Sequence, residues 1–171
     1  MRNILLFALM LMVPVVGFSQ KKKQKLANQD TENWRYEIEA LEIGLQGTCL
    51  VKVWSYSSKP DIAASQARKN AVHGVVFKGI PAKDRIPGKK PLVQEADART
   101  KYADFFKSFF ADNGDYMRYV TLTNNGAIEG GDVMKVGKKE YKVGVNVTVN
   151  YSELRKVLES QGIVKRLDAG F

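Results

Sequence analysis

The chain is poor in the residues that build covalent or metal chemistry: one Cys, Cys49, and one His, His73, in 171 residues. A single cysteine excludes an internal disulfide, and one Cys with one His excludes an all-Cys/His tetrahedral zinc site. Any nucleophile–histidine triad has to run through His73. Neither G-x-G-x-x-G nor G-x-S-x-G occurs. The nearest approach to a phosphate loop, Gly131 to Gly137-Lys138-Lys139, has one residue too many and a lysine where Ser or Thr belongs. Asp112-Asn113-Gly114-Asp115 lacks the spaced ligands of a calcium loop and reads as a helix end. No cofactor and no metal is expected.

Long hydrophobic runs are also missing, except at the start. Arg2 precedes an apolar stretch, Ile4 to Val16, and Gly17 and Ser19 place small residues before Gln20. This is the pattern of a secretory signal peptide. The apolar stretch is about thirteen residues, against the ~20 needed to span a bilayer. The sequence therefore predicts a signal peptide at 1–19, a flexible basic tail at 20–30 and one α+β domain at 31–171, in a periplasmic or extracellular protein with no membrane span after cleavage. Its oligomeric state is open. Cys49 lies in the strand-like run Thr48–Val53, which points to burial.

Two periodicities order the rest. Trp34 to Ala40 alternates apolar and polar, then slips phase at Ala40-Leu41, as a β-bulge does. Thr48 to Tyr56 reads as its hairpin partner, with Cys49, Val51 and Val53 on one face. Pro60 to Phe77 reads as a helix capped by Ser58, with Ala63, Ala67, Ala71 and Gly74 in a small-residue stripe suited to close approach to a sheet. His73 is expected at the surface or boundary of that helix. Ala98, Tyr102, Phe105, Phe106, Phe109 and Phe110 mark a second amphipathic helix, ended by a left-handed Gly114. Strands follow at 116–123 and 133–136. Lys142 to Val149 then alternates strictly, its four valines facing a core, before a last helix capped by Asn150 or Ser152. The order β-β-α-α-β-β-β-α predicts an antiparallel sheet with helices on one face.

Charge supplies the candidate contacts, since the chain carries 27 Lys+Arg against 18 Asp+Glu. Residues 78–92 hold three prolines and a cluster of bases, and read as a long loop of the kind that is often functional. Lys83, Arg85, Lys89 and Lys90 are its candidate partner-binding residues. Lys21, Lys22, Lys23 and Lys25 in the tail, with Lys138 and Lys139 in a hairpin turn, are candidates for an anionic surface. Nucleic acid is not an expected partner for an exported protein. Glu37 and Glu39 share a strand face and are a candidate acid/base pair, or the wet face of an edge strand.

The segment Ala63-Ala64-Ser65-Gln66-Ala67-Arg68-Lys69-Asn70-Ala71 follows a hairpin, and the strand Lys142–Val149 runs into Tyr151-Ser152-Glu153-Leu154. This layout resembles the flagellar assembly protein T amino-terminal domain and related small envelope lipoproteins. The resemblance implies a non-catalytic α+β envelope module. The chain departs from that class in having no lipidatable Cys after the leader and in inserting the basic loop, so no functional residue carries over. The function expected is an exported, non-enzymatic module that binds another envelope component, either an envelope protein or an anionic envelope polymer. The alternatives are a binder of anionic lipid headgroups or acidic glycan, and a hydrolase without a recognisable motif.

Overall fold

The computed structural model describes residues 15–42 and 47–166. The fold is α+β, as the periodicities predict. The expected leader lies mostly outside the described residues.

The first described element differs from expectation. Helix α1, Val15–Glu32, runs through the predicted cleavage junction and through the predicted flexible tail. Its straight-chain Gln and Lys residues carry good helix propensity, and no Pro interrupts them. Its final turns pack inward: Ala27 and Thr31 are buried. The period was illegible because only Leu26 and Ala27 are apolar between Gln20 and Glu32, and Leu26 stays exposed.

Strand β1, Tyr36–Glu42, and strand β2, Thr48–Ser57, pair antiparallel with a register shift between Ala40 and Glu42, the bulge anticipated from the phase slip. Helix α2, Pro60–His73, begins on Pro60, but Lys59 holds the cap position and no side chain caps it, so Ser58 does not take that role. The helix widens into a π turn at Gly74–Lys78. The aromatic helix is two pieces, α3, Ala98–Lys101, and α4, Ala103–Phe109. Tyr102 leaves helical backbone between them (φ −113, ψ 32), and its hydroxyl donates to the Gly162 carbonyl at 2.9 Å. The left-handed residue after them is Asn113 (φ 59), not Gly114.

The predicted strand at 116–123 is a 3-10 turn followed by the short β3, Val120–Leu122. Strand β4, Val133–Gly137, and the long β5, Glu140–Asn150, form a hairpin, and α5, Tyr151–Ser160, follows directly. Asn150 caps α5 by accepting from the Glu153 backbone N–H at 3.2 Å. The sheet runs β1-β2-β5-β3, and β4 pairs with the other end of β5.

Period two decides the two faces. Val143, Val145, Val147 and Val149 point inward beside Val51 and Val53, all at most 1% exposed. Cys49 is buried with them, and burial pushes its thiol up to about 11, so it stays protonated at neutral pH. Ala63, Ala67 and Ala71 of α2 are fully buried against this face, and Gly74 sits beneath Ile38 and Tyr36, where even a Cβ would lie 3.1 Å from the Ile38 methyl. The small stripe thus brings α2 close to the sheet, which keeps dispersion contacts dense.

Candidate functional site

The outward face of the sheet places charge beside aromatic rings. Glu37 and Glu39 project from β1, Lys52, Trp54 and Tyr56 from β2, and Lys142 from β5. Each carboxylate is committed to neighbours. Lys142 Nζ lies 2.8 Å from Glu37, and the Tyr56 hydroxyl donates to the same carboxylate at 2.6 Å. Lys83 Nζ reaches Glu39 at 2.6 Å, and the Trp54 indole N–H donates to it at 2.8 Å. These lysine bonds hold both carboxyls below the usual carboxylate range. An acid/base pair needs its two groups pushed apart, whereas both shifts here run downward. Glu37 and Glu39 form the ion-paired wet face of an edge strand.

The same bonds divide the basic residues. Residues 78–92 are not the predicted structureless loop. Ile80 and Lys89 exchange backbone hydrogen bonds of 2.8 Å, Lys83 and Ile86 close a tighter turn inside, and Leu92 and Val93 donate to the carbonyls of Val75 and Val76. Lys83 is spent on Glu39, and Lys89 lies over the Tyr151 ring at 4.6 Å. Of the four candidates, Arg85 and Lys90 are exposed and make no ion pair among the described residues.

The second candidate set is brought together. Lys23 of α1 and Lys139 of the β4–β5 turn line one groove of about 260 Å³ with Leu26 and Ser58. The two carboxylates at this groove, Asp30 and Glu140, are both held by Arg35. Lys21, Lys22, Lys25, Lys138 and Lys139 are exposed and make no ion pair among the described residues. Lys23 is held below the ordinary lysine value by burial and by the charge of Lys59 beside it. The elements that carry these lysines also expose apolar side chains: Leu26 of α1 is 53% exposed, and Val133, Met134 and Val136 of β4 are each more than a third exposed. The sequence shows the lysines but not these exposed apolar residues, because Val133–Val136 reads as an ordinary strand, and only the fold shows that no described helix covers it.

His73 is the largest departure from expectation. It is 3% exposed, not at the surface, because α2 turns this face toward β1 and α4. Its Nδ1 lies 2.8 Å from the Tyr36 hydroxyl and its Nε2 lies 3.1 Å from Arg99 Nη2. Arginine only donates, so Nε2 accepts and the ring proton sits on Nδ1, donating to the Tyr36 oxygen. Burial and the charges of Arg99, Lys69 and Lys78 push the imidazole down to about 3, so it is neutral at physiological pH.

Among the described residues no three metal-ligating side chains cluster, and no helix is long and apolar enough to cross a membrane. No protein-family model, curated protein or solved structure matches the chain.

Proposed function

We propose that this protein is an exported, non-enzymatic module that docks on an anionic lipid surface of the cell envelope through the end built by α1 and the β4–β5 turn. One observation carries the reading: lysines without carboxylate partners, Lys23 and Lys139, line one groove together with the exposed Leu26. Cations attract the headgroups, and apolar side chains seat at the headgroup boundary. On the sheet face Glu37, Glu39 and Asp132 are matched by Lys142, Lys83 and Lys52, whereas the lysines of this groove have no carboxylate of their own. The second reading, a protein partner held by residues 78–92, is supported by the exposure of Arg85 and Lys90 alone.

Co-sedimentation of the full chain with phosphatidylglycerol-containing vesicles and with purely phosphatidylcholine vesicles tests the reading. The apolar run at 4–16 is common to both arms and cancels. Binding to the anionic vesicles is expected to exceed binding to the neutral ones. The excess is expected to vanish near 1 M salt, where the Debye length falls to about 3 Å. Equal recovery from both vesicle types overturns the proposal.

A further inference from the structure

A second cavity, of about 450 Å³, opens between α1, α2, α3 and α4. That volume lies within the range of small-molecule sites, roughly 300–1,000 Å³. One wall is aromatic: Phe77, Phe106 and Phe110, with Phe77 and Phe106 in edge contact at 4.8 Å. The opposite lining is cationic. Lys69 is 7% exposed and makes no hydrogen bond or ion pair among the described residues. Its ammonium carries a desolvation cost that the charges of Asp112 and Glu32 offset only in part, and burial accordingly holds it below the ordinary lysine value. Arg99 lies over the Phe77 ring at 4.7 Å and gives one N–H to His73, leaving further donors of its guanidinium fork. Glu32 and Asp112 also line the cavity, so it holds two carboxylates against the cations Lys69, Arg99 and Lys107. One net positive charge beside an aromatic wall suits a monoanion better than a dianion.

We propose that this cavity binds a small monocarboxylate with an apolar or aromatic body. Lys69 and Arg99 hold the carboxylate, and Phe77, Phe106 and Phe110 hold the body. Neutral His73 fixes Arg99 from behind. The site is separate from the lipid-facing groove, and its test contains no vesicles, so either proposal can fail alone.

The probes are 3-phenylpropanoate, its amide 3-phenylpropanamide and inorganic phosphate, titrated into the 15N-labelled full chain and followed by NMR. The acid is expected to shift the amides around Lys69, His73 and Phe106, and to bind about tenfold or more tighter than the amide, because a charge-assisted bond is about twice as strong as a neutral one. Phosphate is expected to bind more weakly than the acid. Lys69→Met removes a buried charge that makes no hydrogen bond or ion pair among the described residues, so its unfolding midpoint is expected to hold or rise while the preference for acid over amide falls severalfold. Arg99→Gln is expected to weaken the acid by a similar factor and serves as the second variant. Acid and amide binding equally, no cavity shifts at millimolar acid, or an undiminished acid preference in folded Lys69→Met each overturns the proposal.

Discussion

At the scale of the residue, His73 is the group whose environment most departs from water. Tyr36, Arg99, Lys69 and Lys78 face it, and Glu32 and Asp112 line the cavity beyond. Its pKa in the unfolded chain is about 6.5 and in the fold about 3. Between those values the unfolded chain takes up a proton that the folded chain refuses. Stability therefore falls as pH drops through 6.5, by up to ~1.4 kcal/mol per pH unit. Glu37 and Glu39, whose values are lowered by Lys142 and Lys83, add their loss only below the ordinary carboxylate range. The interval from pH 7 to pH 5 thus isolates the histidine. Urea midpoints are expected to show a loss of about 2 kcal/mol over that interval in the parent. His73→Gln, which keeps an amide donor and acceptor but does not titrate, is expected to flatten it. The same slope in both proteins counts against a buried neutral imidazole.

At the scale of the element, the 78–92 hairpin depends on one backbone position. Gly79 sits at φ 80, ψ −179, and its amide donates to the Gly74 carbonyl at 2.8 Å. A Cβ there would lie 2.6 Å from the Lys89 carbonyl oxygen, the acceptor of the Ile80 amide. That region of backbone space is nearly exclusive to glycine, and occupying it with another residue costs ~1–3 kcal/mol. Gly79→Ala is expected to lower the urea midpoint accordingly and to speed tryptic cleavage after Arg85, the exposed base at the hairpin tip. An unchanged midpoint with unchanged cleavage would show that the segment is not latched through Gly79. The elements that were legible in the sequence are those where one local period sets burial. Alternation marked Lys142–Val149 and both faces of the first hairpin, and the phase slip at Ala40 marked the bulge. What stayed hidden depends on partners distant in sequence. The 78–92 segment is ordered by carbonyls of Val75 and Val76 and by Glu39, none of which a local pattern reveals. Lys69 and Arg99 read as solvated helix charges because the cavity that collects them is made by four separate helices.

At the scale of the whole molecule, the net charge of +9 separates into a neutralised part and an uncompensated part. The sheet face pairs Glu37 with Lys142, Glu39 with Lys83 and Asp132 with Lys52. Lys138 and Lys139 project from the opposite end of the hairpin with no ion pair among the described residues, as do Arg85 and Lys90 in their own segment. The two segments therefore make competing claims on an anionic partner, and matched double variants of the full chain decide between them. Each lysine near an anionic leaflet adds ~1 kcal/mol of attraction, so Lys138→Ser with Lys139→Ser is expected to weaken binding to phosphatidylglycerol vesicles about thirtyfold. Arg85→Ser with Lys90→Ser removes the same charge from residues that do not line the lysine groove and is expected to change binding less than about twofold, the residual reflecting a long-range field that salt screens. Both pairs are exposed, so both variants are expected to unfold within about 0.5 kcal/mol of the parent. Equal weakening by the two variants would mean that vesicles sense only total charge. Weakening by the Arg85/Lys90 variant alone would move the contact to the 78–92 hairpin. Only loss confined to the Lys138/Lys139 variant fits a molecule that presents one particular end to the surface.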